Sequence, residues 1–449
     1  MYQLSELTPR VKKMRALYRD TVPYIDIERY RLVTEFYKAN RNVRGNLKRA
    51  LNFANLCDNM PVYIRDDEVI VGSYTATYKA SALYPEYSIA WLEQELRDGT
   101  ISTREEDKYL VRDEDRDYIL ETIPFWDGEC LCALVNPYYP ETYKKIANNG
   151  VETFGPKDCC PQPIGHFAPN YHVAVEKGFA AVKAEADAKI AEYEKNAIHG
   201  SAQPYNFYRG VSIVCGAMIR YAKRYSDECA KLAEECTDPA RKAELQQISE
   251  TMGWIMENPA RNFREAIQAV WFYEMCVLMD ANMHGTSLGR IDQVLGPYAE
   301  KDIADGVLTR EEAQELVDLY CLKVAECNKA WGAQTAKSAP GYTSGQLITV
   351  GGSKNEHGDD GTNITTYMFL ESVGRMQLHS PPMALRVHEK MPDDLWECAL
   401  AVNKAAGGVP SFYSDSVVIP ALEKRGIPHS DSWKYCLIGC VEPSIGGEE

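Results

Sequence analysis

From about residue 341 onward the apolar pattern changes period, and no other feature of the chain restricts its fold as much. SGQLITVGG from Ser344, SPPMALRVH from Ser380 and VPSFYSD from Val409 are short apolar or β-branched runs, each ended by Gly, Pro, Asp or a charge. Helical segments lie between them. This alternation predicts an α/β fold with parallel strands joined by helices, and such folds carry their sites at the carboxyl ends of the strands. Before it, helical spacing dominates. VAVEKGFAAVKAEADAKIAEYEKN from Val173 sets Val175, Phe179, Val182, Ala186 and Ile190 three and four apart, which predicts one long amphipathic helix. Further helical runs cover 213–232, 239–256 and 262–279, and in the last of these FREAIQAVWFYEMCVLM is apolar on nearly every side and should be buried. TREE from Thr309 has the Thr and Glu of a capping box. The chain therefore divides into a helix-rich part, about 1–340, and strands mainly in 341–449.

Charge and cysteine usage narrow the function. Against 49 basic residues stand 65 acidic ones, a net of −16, so the surface repels phosphate backbones and anionic lipid heads; neither nucleic acid nor a membrane is expected as a partner. No run reaches the roughly 18 apolar residues of a spanning helix, and MYQLSELTPRVKKMRALYRD lacks the apolar core of a secretion signal. A cytoplasmic location is the expectation, and with it mostly free thiols among the 14 cysteines. No CxxC pair occurs: one residue separates Cys130 from Cys132, and Cys159 adjoins Cys160. With no HExxH or HxH either, no metal site is expected. A Walker A loop and a GxGxxG after a strand are both missing. The Pro- and Cys-bearing stretch 154–169 reads as a long loop, either a site wall or lid or a plain connector.

The chemistry concentrates in YCLIGCVEPSIGG, residues 435–447. A short apolar run delivers Gly439, Cys440, Val441, Glu442 and Pro443 into a turn. If that chain is extended, Cys440 and Glu442 project to one side, because side chains alternate along a strand. A sulfur and a carboxylate in one pocket could combine one-electron chemistry with proton transfer. The residues alone favour the plainer reading of a buried structural cysteine beside a solvated glutamate. A cysteine hydrolase would need a histidine beside the thiol, and nothing in the sequence selects one of the eight.

GCVEP at 439–443 resembles the thiyl-radical loop of the glycyl radical enzymes, the superfamily of pyruvate formate-lyase and the diol dehydratases. Other segments match in order: IRDDEVIVGS from Ile64, YPEYS from Tyr84, Gly165-His166, LGRIDQ from Leu288, Val350-Gly351-Gly352, SPPMALRV, and PSFYSDSVVIPAL from Pro410. The resemblance spans nearly the whole chain, and the ordered set is far more specific than any single motif. It implies that Cys440 carries the thiyl radical that takes a substrate hydrogen and that Glu442 deprotonates the neighbouring hydroxyl, so that the adjacent group is eliminated. Pyruvate formate-lyase uses two adjacent cysteines, whereas Gly439 holds the first of those positions here, so acyl transfer is not implied. The implied branch is that of glycerol and propanediol dehydratases, choline trimethylamine-lyase, isethionate sulfite-lyase and some arylacetate decarboxylases.

For the substrate wall, the resemblance assigns His166 to a substrate hydroxyl, with a structural histidine as the alternative. Asn170 stands where many relatives have Asp, which argues against a cationic substrate such as choline. Gly345 aligns with an aromatic of several relatives, implying a roomier pocket. His284, Thr286 and Ser287 lie in a segment, 282–293, where the family places substrate contacts; Arg290 and Asp292 there are expected to form a buried structural pair. The implied fold is a pyruvate formate-lyase-like α/β barrel, its first half following a large helical region. The family stores its radical on a C-terminal glycine loop that these 449 residues do not contain. The expectation is thus a fragment, one half of a split enzyme, or a catalytically silent binding chain. Also implied are a separate radical S-adenosylmethionine activating enzyme with a [4Fe-4S] cluster, anaerobic function, a homodimer, and no bound cofactor or metal. Within the enzyme class the alternative is an arylacetate-type decarboxylase.

Overall fold

The computed structural model describes residues 2–142, 165–196, 202–281, 284–338, 340–342 and 344–447. Most of the 154–169 loop, and with it Cys159 and Cys160, lies outside these residues. The alternation in the last third forms a parallel sheet in the order β3 (Ile348–Gly351), β4 (Met383–Val387) and β5 (Ser411–Ser414). The register pairs Val350 with Leu385 and Leu385 with Phe412. Helices Ile364–Met376 and Asp393–Ala405 supply the crossovers. Earlier in the chain β1 (Tyr24–Asp26) and β2 (Ala80–Ala82) make a separate parallel pair. At the far end β6 (Cys436–Ile438) and β7 (Glu442–Ser444) form an antiparallel hairpin.

Helix Phe263–Asp280 is buried along almost its whole length. Asn262 caps it by accepting from the Glu265 amide, and Gln268 bonds to both backbone groups of Val71. Thr309 and Glu312 form the expected capping box at the start of Arg310–Ala325. The 213–232 run lies inside a longer helix, Ala202–Glu235, of 34 residues. The long helix expected from Val173 is interrupted. Val173–Lys177 winds as a wide π turn, Gly178 takes φ of +75°, and a regular helix starts only at Phe179 and runs to Lys195. The cause is tertiary: a Cβ at 178 would stand 2.6 Å from the Glu257 carbonyl oxygen.

Arg290 and Asp292 are buried electrostatic partners, as expected, without a direct hydrogen bond between them. Both grip the Gly351 peptide that ends β3, Arg290 donating to its carbonyl (2.9 Å) and Asp292 accepting from its amide (2.8 Å) and from the Thr366 hydroxyl (2.7 Å). The buried ion pair of this region is Arg386–Asp415. The guanidinium is fully buried, bonds both carboxylate oxygens at 2.9 Å, lies 3.9 Å from the Tyr435 ring centre and donates to the Tyr435 carbonyl at 2.8 Å. It thereby ties β4 to the segment that feeds the β6–β7 hairpin. The twelve described cysteines are all free thiols. No helix of the described residues is long and apolar enough to cross a membrane.

Candidate active site

β6 is wholly buried, and the chain reverses immediately after it. Gly439 takes φ of +58°, Cys440 and Val441 form the tip, and β7 returns with Glu442 opposite Ile438. Cys440 and Glu442 therefore flank a tight turn instead of alternating along an extended strand. The reversal is stabilised by Glu442 itself, whose Oε2 accepts from the amides of Cys440 (3.0 Å) and Val441 (2.9 Å). Sulfur and carboxylate remain electrostatic neighbours. Burial pushes the Cys440 thiol up and the Glu442 charge pushes it further. On Glu442 burial pulls upward, but the two amide donors and nearby His166 outweigh it and hold the carboxyl below its usual range. The turn thus presents a protonated thiol next to an ionised carboxylate.

His166 closes one side, with Nε2 3.9 Å from Glu442 Oε1. It comes this close because two glycines leave room. A Cβ at Gly439 would meet His166 Nε2 at 2.4 Å, and one at Gly285 would meet the Gly439 Cα at 2.9 Å and His166 Cε1 at 3.1 Å. An aromatic row continues inward: the His166 and His284 ring centres are 5.4 Å apart, those of His284 and Trp331 5.2 Å, and Lys329 Nζ lies 4.6 Å from the Trp331 ring. Burial, with the positive charge of Lys329 second, lowers His284 to about 4, so its imidazole is neutral at physiological pH. Tyr413, near the end of β5, has its phenol pushed up by burial and then by Glu442 and Cys440, which brings it within electrostatic reach of the pair.

Residues 5–449 match the family model described as pyruvate formate lyase-like. The chain belongs to that family. It is accordingly a member of the glycyl radical enzyme superfamily, with the pyruvate formate-lyase-like α/β fold. The glycerol-bound B12-independent glycerol dehydratase of Clostridium butyricum superposes with a TM-score of 0.93 at 32% identity, covering 99% of this chain and 56% of that one. Isethionate sulfite-lyase of Nitratidesulfovibrio vulgaris is 31% identical over 443 residues, 96% of this chain and 53% of the relative. (2S)-3-sulfopropanediol dehydratase of Klebsiella oxytoca is 29% identical, covering 98% and 53%. The chain spans about half the length of the curated relatives it matches.

Of the residues singled out from sequence in this pyruvate formate lyase-like chain, Cys440, Glu442, His166 and His284 converge. Ser287 is at the site in another capacity: its hydroxyl accepts from the Gly439 amide and donates to the Gly285 carbonyl, both at 3.0 Å, so both bonds hold backbone. Thr286 is fully buried, and its hydroxyl has no hydrogen-bond partner among the described residues. Gly345 adjoins His284, and a Cβ there would lie 3.5 Å from it and from Gly285. With φ of +73° its backbone calls for glycine, a reason independent of pocket size. Asn170 is not brought to the cluster. It is exposed, packs on Gly447, and lines a different cavity of about 350 Å³ with Arg290, Lys354 and Trp433. Lys329, Tyr413 and Trp331 were not foreseen. Among the described residues no group of three or more His, Cys, Asp or Glu is arranged to hold a metal.

Proposed function

We propose that the whole protein is a glycyl radical lyase that abstracts hydrogen from a small hydroxylated substrate and eliminates a neighbouring group, as a dehydratase or C–X lyase. The observation that carries this reading is the Cys440–Glu442 turn, in which Glu442 Oε2 accepts from the Cys440 and Val441 amides and Oε1 faces His166 at 3.9 Å, while the electrostatics raise the thiol and lower the carboxyl. A nucleophilic cysteine needs the opposite environment, one that lowers its pKa. A hydrogen-atom donor and acceptor needs the S–H bond.

The Cys440 sulfur radical takes the hydrogen atom from the carbon bearing the hydroxyl, giving S–H and a carbon radical. Glu442 takes the hydroxyl proton. The resulting ketyl expels the substituent on the adjacent carbon with its bonding pair, as sulfite, an amine or hydroxide, and the leaving group takes the Glu442 proton and departs as bisulfite, an ammonium or water. The carbonyl-stabilised radical then recovers a hydrogen atom from Cys440 and regenerates the sulfur radical. His166 and the neutral His284 orient the substrate oxygens; Thr286 offers a further hydroxyl. The initiating radical would be supplied by a glycine in a segment outside residues 1–449, installed by a radical S-adenosylmethionine enzyme. Anaerobic and cytoplasmic function, a homodimer, and these residues as the thiyl-bearing part of a longer or two-chain enzyme belong to the same proposal. Dehydratases and sulfite-lyases among the relatives 29–31% identical support elimination over the decarboxylation performed by one at 25%.

The test is anaerobic activation of the full-length protein with its activating enzyme, S-adenosylmethionine and a reductant, followed by electron paramagnetic resonance and product analysis. Wild type should give a glycyl doublet and a carbonyl product with water, sulfite or amine. Cys440→Ala should keep the doublet and lose turnover. Turnover at the wild-type rate in Cys440→Ala, or carbon dioxide as the product, would overturn the reading.

A further inference from the structure

A carboxylate that the proposed reaction does not use lies buried directly behind the site. Glu274 sits in the nearly all-apolar helix Phe263–Asp280 and is fully buried. No cation touches it among the described residues, and both of its hydrogen bonds come from neutral groups. Gln346 Nε2 donates to one oxygen at 2.9 Å, and the Tyr171 hydroxyl donates to the other. Burial without a cation raises the Glu274 carboxyl to about 7, a cost that an apolar side chain in its place would avoid. What the carboxylate provides is connectivity.

Followed outward, its contacts close on themselves. Gln346 Oε1 accepts from the Ser344 hydroxyl at 2.8 Å, and the Ser344 carbonyl accepts from the Gly285 amide at 2.8 Å. The Gly285 carbonyl accepts from the Ser287 hydroxyl at 3.0 Å, and the Ser287 carbonyl lies 3.4 Å from the Tyr171 oxygen, a contact without a hydrogen bond because the one phenolic proton goes to Glu274, and it completes the ring by packing. This ring is buried throughout and joins a helix, the 285–287 loop and the 344–346 loop. The Cys440 turn hangs from it, because the same Ser287 hydroxyl accepts from the Gly439 amide at 3.0 Å. Buried hydrogen-bond networks of this kind favour one geometry in the segments they join.

We propose that Glu274 is a positioning residue: by closing the ring it fixes the 285–287 backbone and so sets where the Cys440 sulfur stands. The proposal rests on the reading of Cys440 given above. Glutamine at 274 can keep the ring closed, accepting from Gln346 and donating to the Tyr171 hydroxyl, which then donates to the Ser287 carbonyl. Leucine cannot.

The experiment uses the full-length protein as Glu274→Leu, Glu274→Gln and Tyr171→Phe, the last keeping the packing while removing the ring's hydroxyl. In the unactivated protein, amide hydrogen exchange in a peptide covering 436–441 should accelerate about tenfold or more in Glu274→Leu, less in Tyr171→Phe, and return to the wild-type rate in Glu274→Gln. After activation, kcat per glycyl radical should fall about tenfold or more in Glu274→Leu with KM within about twofold, and recover in Glu274→Gln. Wild-type exchange and kcat in Glu274→Leu, or in Tyr171→Phe should the leucine variant not fold, overturns the proposal; so does a glutamine variant as impaired as leucine. If wild type shows no Cys440-dependent turnover, the reading of Cys440 falls, and the exchange measurement still decides whether Glu274 fixes the turn.

Discussion

Alanine at Gly439 imposes two separable costs on the Cys440 turn. The first is conformational. At φ of +58° any residue with a Cβ pays about 1–2 kcal/mol for the left-handed backbone. The second is steric. The new carbon would stand 2.4 Å from His166 Nε2, 2.5 Å from its Cδ2 and 2.9 Å from Glu442 Oε2. Ordinary contact between such atoms is at about 3.5 Å, so the imidazole must retreat by about 1 Å and the carboxylate by about half as much. Gly306 provides the control. Its φ is +69° and nothing lies within 4 Å of its Cβ position, so Gly306→Ala carries the conformational cost alone. Both variants should lose about 1–2 kcal/mol in chemical denaturation, with any further loss confined to Gly439→Ala. Only Gly439→Ala should lose turnover, by about 10²-fold, the usual penalty for misplacing reacting groups by about 1 Å. The glycyl doublet should be the same in both. Full turnover in a folded Gly439→Ala, with a stability loss no larger than that of Gly306→Ala, would refute the claim that the glycine makes room for His166 at the carboxylate.

Labelling of Cys440 by iodoacetamide should titrate above the ordinary thiol value of about 8.5, and Glu442→Gln should bring the midpoint down by removing one of the two causes of the upward shift; a wild-type midpoint below that value contradicts the electrostatics. His284 folds with a value of about 4 against about 6.5 in the unfolded chain, so between those pH values the unfolded chain binds a proton that the folded chain refuses. Its contribution to stability is intact above pH 6.5 and declines by up to about 3 kcal/mol as pH falls to 4; His284→Asn should flatten that slope in urea titrations, and an unaltered slope counts against it. Lys323 and Glu68 are both almost fully buried and 2.7 Å apart, and Glu68 keeps Arg65 at 3.1 Å, so Lys323→Met should destabilise the fold by about 1–3 kcal/mol, the cost of one lost buried charged hydrogen bond; an unchanged stability in chemical denaturation would refute this.

What was legible in the sequence was whatever neighbouring residues determine. The period change announced β3, β4 and β5, the all-round apolar run announced the buried helix, and TREE announced its own cap. The misses share a long-range cause. Gly178 sits in a helical pattern, and only the backbone near Glu257, far away in sequence, makes it a break. Arg386 reads as one charge in an apolar strand until the fold brings Asp415 to it across 29 positions. The extended path assumed for 440–442 failed because Glu442 caps its own turn, a side-chain-to-backbone bond that a period-two reading does not contain. Glu274 did leave a signal. A carboxylate inside FREAIQAVWFYEMCVLM, on a helix already read as buried all round, has nowhere to go but a polar network.

The two oxygens of Glu442 have different work, and the difference bears on the proposed reaction. Oε2 is committed to the amides of Cys440 and Val441, and each bond stabilises the ionised form at that oxygen. Among the described residues neither of these amides reaches Oε1, which faces His166 Nε2 at 3.9 Å, a separation wide enough to leave the oxygen open to a substrate hydroxyl. A proton arriving from the substrate therefore settles on Oε1, while Oε2 keeps the turn closed and the sulfur in place. Base and scaffold are the same side chain. Glutamine at 442 can preserve the second role with its carbonyl oxygen and cannot perform the first, so Glu442→Gln should keep the turn and its glycyl doublet while losing elimination. Alanine there should loosen the turn as well, and the two variants differ in hydrogen exchange at the Cys440 amide if the division of labour is real.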